Sequence, residues 1–232
     1  MPLVSTVDPI AEKFGAFWAN KTDPQSRGRG PAFCRAVAQE LRLLCGERKP
    51  VRVLEIGCGD GRLFDFLRFP AASYRGVDFG PLMLAAFHRN HPEIDLVEAE
   101  GSSFADGRIY DLIFAHDVIS HFSLAMLDRF FRNARQMIHP DSLIILASVP
   151  WRALRNLYDS GVWRNGGKIS ATNWAKSKLR RLVGRELTGR WFTTSEISRI
   201  AARNGLRAQF HGSITHPYRF HAVLTASRNS SV

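Results

Sequence analysis

Between residues 51 and 149 the chain alternates two rhythms of apolar positions. Short, nearly continuous apolar runs fall at about 51–56, 73–77, 94–99, 110–115 and 142–149. Such runs, bounded by glycine, proline or charged residues, predict buried strands. Between most of them apolar residues recur at three- and four-residue spacing, which predicts amphipathic helices. His139-Pro140-Asp141 reads as the turn before the fifth strand. Strand and helix in alternation imply an α/β, doubly wound, mostly parallel sheet covered on both faces. A ligand should then lie outside the carboxyl ends of the strands.

The flanks follow other patterns. Residues 8–19, opened by Asp8 and Pro9 and carrying Phe14, Phe17 and Trp18, predict a short amphipathic helix. A polar connection over residues 21–30 leads to a second helix at 31–46, with Phe33, Val37, Leu41 and Leu44 on one face and Gly46 as its stop. Residues 150–190 break the rhythm, with neither a clear strand nor a long uninterrupted helix. They gather Trp151, Trp163 and Trp174, with Trp191 just beyond. Within them, residues 173–183 can form a helix with Trp174, Leu179, Leu182 and Val183 facing one way and Lys176, Arg180 and Arg181 another. Thr193-Thr194-Ser195-Glu196 is a capping signal for a helix running to about Asn204, stopped by Gly205. Two strands at about 206–212 and 219–226 follow and form an antiparallel terminal hairpin. The chain thus divides into a helical segment (1–50), a core (51–149), a basic Trp-rich cap (150–190) and a final helix and hairpin (191–232) of one domain.

Composition changes this picture little, with 45% hydrophobic and 23% charged residues in 232, ordinary for a folded domain. The longest apolar run, residues 143–149, is too short to span a bilayer. Residues 1–10 lack the basic start and apolar centre of a signal peptide, so a cytoplasmic protein is expected. Cys34, Cys45 and Cys58 have no metal-ligand spacing, and reduced thiols are expected. Charge matters more. Residues 1–149 hold 17 Lys/Arg against 18 Asp/Glu, whereas residues 150–232 hold 15 against Asp159, Glu186 and Glu196, so the net +11 comes entirely from the last third. An anionic partner met there, and an Arg-rich composition without consequence, both fit that asymmetry.

The chemistry concentrates at Val53-Leu54-Glu55-Ile56-Gly57-Cys58-Gly59-Asp60-Gly61-Arg62-Leu63. An apolar strand ends in glycines at alternate positions, and Leu63, Phe64 and Leu67 then start a helical pattern. In that arrangement backbone can press against a nucleoside-type ligand, because no Cβ intervenes and positive φ is available. The spacing G-x-G-x-G is one residue shorter than the dinucleotide fingerprint. Seventeen residues after Gly61 a second strand ends in Asp78, a carboxylate able to accept hydrogen bonds from both hydroxyls of a ribose.

This string resembles motif I and the following acidic position of class I S-adenosylmethionine-dependent methyltransferases, and residues 51–149 carry the resemblance. It implies a seven-stranded sheet ending in a hairpin, and S-adenosylmethionine as methyl donor with S-adenosylhomocysteine as product. Carried over by position, Glu55, Gly57, Cys58, Gly59 and Gly61 would wrap the methionine and ribose parts, with the Gly57 carbonyl meeting the ammonium group. Asp78 would bind the ribose and Phe79 pack on the adenine. Glu100 would face the adenine amino group, with Glu98 as the fallback, and Gly101 would offer its N–H to the ring. Asp111 would be structural. His116 and Asp117 would fall where the methyl group is handed over, His116 touching cofactor and acceptor alike, and His121 would follow at the start of the next helix, where the resemblance implies a structural or cofactor-side role over that of a base.

Acceptor deprotonation suits histidine, and the candidates are His116, His121 and, from the terminal hairpin, His216, with Asp117 beside them. In the family the segment after the fifth strand builds the acceptor pocket, so Trp151, Trp163 and Tyr218 are candidate substrate contacts, although tryptophans there can equally form the cap's own core. No Asn-Pro-Pro-Tyr run, Pro-Cys pair, carboxylate cluster or zinc-type spacing is present, and no metal is expected. The reading is O- or N-methylation of a small-molecule or saccharide-type acceptor, anionic or lipid-linked. A nucleic-acid methyltransferase using the basic third and a SAM-binding protein without catalysis are the alternatives. The basic helix at 173–183 leaves peripheral contact with the inner membrane surface open.

Overall fold

A computed structural model describes residues 30–163, 167, 168, 170–182 and 189–227. The helix expected at 8–19, most of the connection after it, and Val183 lie outside the described residues. The first described helix, α1 (Pro31–Cys45), starts at Gly30 with proline at its first turn and stops at Gly46, φ 62°. It buries Cys34, Val37, Ala38, Leu41 and Cys45, and also Glu40. The core alternates β1 (Val53–Ile56), α2 (Phe64–Leu67), β2 (Tyr74–Asp78), α3 (Pro81–Asn90), β3 (Asp95–Glu98), β4 (Tyr110–His116), α4 (Leu124–Gln136) and β5 (Ile138–Pro150). After it come α5 (Arg155–Asp159), α6 (Ala171–Leu182), α7 (Thr194–Arg203), β6 (Leu206–Gly212) and β7 (Arg219–Ala226).

The seven strands form one sheet in the order β3-β2-β1-β4-β5-β7-β6. The first five pair in parallel, and β7 runs antiparallel to both β5 and β6. One face is covered through Leu127, Phe130, Phe131, Ile197 and Ile200 of α4 and α7. The other is covered through Val37, Leu41, Leu84 and Phe87 of α1 and α3. Strand order reverses between β1 and β4, which opens a crevice at their carboxyl ends. The capping box before α7 forms as expected, Thr193 and Glu196 exchanging bonds between side chain and backbone.

One element differs from expectation. The turn at His139-Pro140-Asp141 lies inside β5 as an irregularity, since Ile138 already pairs with Tyr110 before Leu143 pairs with Leu112. Pro140 has no N–H for the ladder. Ser142 bridges the gap, donating to the Tyr110 carbonyl at 2.7 Å and accepting from His139 N–H at 3.0 Å. The helix expected at 173–183 forms as α6, starting two residues earlier at Ala171. The Ser170 hydroxyl accepts from the Asn173 N–H at 3.3 Å and starts it.

Candidate functional site

The three alternate glycines after β1 do three different jobs. Gly57, φ 76°, donates to the Val77 carbonyl at 2.7 Å, and a Cβ there would lie 2.2 Å from Val118 Cγ2. Gly59, φ 56°, has nothing within 4 Å of where its Cβ would be, so its missing side chain leaves open space. Gly61, φ 79°, sits under Phe87, whose Cδ2 is 2.3 Å from an added Cβ. Gly61 therefore lets α3 close on the loop, and it does not line the cavity that the other two border.

That cavity, about 370 Å³, is lined by Glu55, Gly57, Cys58, Gly59, Asp78, Phe79, Glu100, Gly101, His116, Asp117 and His121, with Phe33, Cys34 and Val37 of α1 as its cover. The carboxyl ends of β1, β2 and β4 and the loop after β3 thus bring most of the expected site residues together. Asp78 accepts from Gly59 N–H at 2.9 Å and from Gly80 N–H at 2.8 Å, one bond on each oxygen. Burial pushes its pKa above the usual carboxylate range although these bonds favour the charge. Glu100 lines the cavity, whereas the fallback Glu98 is exposed on β3 outside it. Glu100 also accepts from Ser102 N–H at 2.8 Å, the Ser102 hydroxyl at 2.7 Å and Arg129 at 3.1 Å. Gly101 is required by close approach, since its Cβ would lie 2.4 Å from Ile56 Cγ2.

Glu55 forms the floor. It is buried between β2 and β4 partners Gly76 and Phe114, and its Oε2 accepts the Tyr74 hydroxyl proton. Burial, against the Tyr74 hydrogen bond and with the Asp78 charge adding to it, raises its pKa to about 8. Asp111 stands away from the cavity. Its carboxylate accepts from Val51 and Arg52 N–H at 2.9 and 2.8 Å and lies 3.0 Å from His139 Nε2, which ties the start of β1 to β5. Burial opposes its ionisation, but those bonds prevail and hold it at about 2.

The end of β4 is held by residues that local sequence did not reveal. Asp117 takes left-handed backbone, φ 58°, and so does Ser148 at the end of β5, φ 63°. Arg219 of β7 joins them: its Nη1 donates to Asp117 Oδ1 and, at 2.8 Å, to the Ser148 carbonyl. On the other side Ser148 N–H donates to His221 Nδ1 at 3.2 Å, and His221 Nε2 lies 2.8 Å from Glu40 Oε1. Glu40 further accepts from Ile214 N–H and the Thr215 hydroxyl. Burial resists its charge, yet His221, Ile214 and Thr215 bring its pKa down to about 2. Tyr218 was the only signal near Arg219, and nothing local pairs position 40 with 221.

His216 and the aromatic candidates stand one layer back and do not line the cavity. His216 Nδ1 is 3.5 Å from Ser148 Oγ, and its ring meets Phe33 edge-on at 5.3 Å between centroids. Tyr218 is the centre of an aromatic cluster, 4.6 Å from Tyr158, 5.5 Å from Trp163 and 6.1 Å from Trp191. Trp151 is placed elsewhere. Its backbone bridges to Phe192 and its ring packs edge-on Phe220 at 6.0 Å, against the core. The three cysteines are buried free thiols, with Cys34 and Cys58 against the cavity. No group of three His, Cys, Asp or Glu able to hold a metal occurs among the described residues.

Comparison with known proteins agrees with this geometry. Residues 54–144 match a family described as a methyltransferase domain. The ubiquinone biosynthesis O-methyltransferase of Azorhizobium caulinodans is 31% identical over 117 residues, 48% of this chain and 44% of that protein. The trans-aconitate 2-methyltransferase of Methylobacterium nodulans is 36% identical over 72 residues, 30% of this chain and 28% of that protein. The chain thus spans less than half the length of these curated relatives. The magnesium protoporphyrin IX methyltransferase of Synechocystis, crystallised with S-adenosylhomocysteine, superposes with a TM-score of 0.64 at 15% identity, over 94% of this chain and all of that one. The strand order, with the glycine turn and Asp78 at the point where it reverses, is that of the class I methyltransferase fold, and residues 54–144 match a methyltransferase domain.

Proposed function

We propose that the protein transfers the methyl group of S-adenosylmethionine to an oxygen or nitrogen of a small-molecule or saccharide-type acceptor of anionic or lipid-linked character. The observation that carries this reading is the cavity in which Gly59, open where a side chain would stand, faces the Asp78 carboxylate. Each Asp78 oxygen holds one backbone N–H and keeps a lone pair for a ribose hydroxyl. The Gly57 carbonyl would meet the methionine ammonium, Phe79 the adenine face, and Glu100 with Gly101 the adenine edge.

The donor supplies a methyl group already bound to a sulfonium, so the leaving group needs no acid. What remains for the chain is alignment, exclusion of water and removal of the acceptor proton. α1 covers the cavity with Phe33, Cys34 and Val37. His116 and His121 border it and can take the proton. Asp117, paired with Arg219, serves to fix the end of β4 and aim His116. His216 reaches this side only across Phe33. The Tyr218 cluster supplies aromatic surface for the acceptor beside the Arg219 pair.

Calorimetric titration with S-adenosylmethionine and S-adenosylhomocysteine tests the reading. Wild type binds both, and Asp78→Ala binds at least about 100-fold more weakly, since two charge-assisted hydrogen bonds are lost. A folded wild type that binds neither ligand would sink it.

A further inference from the structure

The cap carries a helix mounted the wrong way round. A surface helix ordinarily turns its apolar stripe inward and its polar side to water. In α6 the half-buried residues are Asn173 and Ser177. Four of its apolar residues point out: Leu179 is 61% exposed, Trp174 38%, and Ala171 and Ala175 are exposed with them. Around this face stand Lys176, Lys178 and Arg180, all exposed. Lys178 Nζ lies 3.9 Å from the centre of the Trp174 ring, so cation and aromatic share one surface. The helix, ATNWAKSKLRRL, has four basic residues and no acid.

We propose that α6 docks on an anionic phospholipid bilayer and holds the protein peripherally at its surface. Trp174 suits the headgroup level, where an indole finds apolar contact and a polar partner together. Leu179 suits the first part of the acyl region, and the lysine and arginine stems can lie along the surface with their charges at the lipid phosphates. An exposed leucine beside the tryptophan favours lipid over nucleic acid, which has no aliphatic surface to cover it. A helix of twelve residues free in solution would dock poorly, because folding would have to accompany binding. α6 is already folded on the cap, and the Ser170 N–H donates to the Ser160 carbonyl at 3.0 Å just before it. No described helix is long and apolar enough to cross a membrane, so the contact is with one leaflet. α5, next to α6, carries Tyr158 against Tyr218, so docking would set the aromatic cluster close to the lipid surface. The inference stands apart from the methyl-transfer reading.

Co-sedimentation of the full chain with vesicles tests it. Wild type sediments with vesicles of phosphatidylglycerol mixed into phosphatidylcholine, not with phosphatidylcholine alone, and added salt weakens the binding. Trp174→Gln/Leu179→Gln keeps every charge, and Lys176→Gln/Lys178→Gln/Arg180→Gln keeps the apolar face. Each set loses at least tenfold in apparent affinity while circular dichroism and S-adenosylmethionine binding stay at wild-type values. Absence of sedimentation with anionic vesicles would overturn the proposal. So would full binding by the Trp174/Leu179 variant, or binding to a single-stranded oligonucleotide with none to vesicles.

Discussion

Replacing Glu55 by Gln removes a titrating proton from the cavity floor and keeps the side chain's shape and its capacity to accept from Tyr74. Burial is the main cause of the high Glu55 pKa, about 8 against an ordinary 4.5. The sign follows from where protons sit. Between those two values the unfolded chain has ionised this group while the folded chain still holds the proton, so stability is greatest at low pH and falls as pH rises. At about 1.4 kcal/mol per pH unit the loss from this one group is roughly 3.5 kcal/mol between pH 5 and pH 8. For a domain of this size that corresponds to roughly 10 °C in Tm. Urea unfolding of wild type and Glu55→Gln without ligand, at half-unit steps across that range, isolates the effect as a difference curve in which other titrating groups cancel. The variant gains on wild type with rising pH by the stated amount. Curves that stay parallel to within about 1 kcal/mol would refute the argument, because Glu55 would then ionise in the folded chain much as it does in the unfolded one.

The glycines separate stability from binding. Gly61→Ala meets Phe87 and a left-handed φ, costs about 2–4 kcal/mol and leaves donor affinity of the folded fraction near wild type. Gly59→Ala meets open space, costs only about 1–2 kcal/mol and abolishes binding by filling the cavity, so thermal melts and calorimetry order the two variants oppositely. Glu40→Gln breaks a buried pair and lowers stability at neutral pH by about 3–5 kcal/mol. Because the folded pKa of Glu40 is lowered to about 2, its contribution is present above about pH 4.5 and lost as pH falls toward 2. Urea midpoints of wild type and Glu40→Gln therefore converge in acid.

The sheet was legible in the sequence because buried parallel strands are nearly continuous apolar runs and the glycines and proline punctuate them. The lining of the cavity was legible for a related reason. Glu55, Gly57, Gly59, Asp78, Glu100 and Gly101 are strand-end residues, and topology alone brings strand ends together. What escaped depended on contacts between distant segments. The job of Gly61 is set by Phe87, and the outward turn of Trp174 and Leu179 by which side of α6 meets the cap. Hydrophobic periodicity announces that a helix has an apolar face but is silent about whether that face finds a partner. Glu40 and His221 would each pass for a surface residue until α1 and β7 are packed together. For Trp151 the sequence left substrate contact and core packing both open, and its ring packs on Phe220 against the core.

The clasp of Arg219 on Asp117 joins residues 102 positions apart. The cavity wall from Glu55 to Gly101 belongs to one unbroken stretch of chain, while the end of β4 is finished only by the last hairpin. A growing chain therefore assembles the two at different times, the second only after β7 has been made. Any exchange of the segment from Trp151 onward over evolutionary time would have to keep Asp117, the bend at Ser148, Glu40 and the edge of β5, each of which that segment grips.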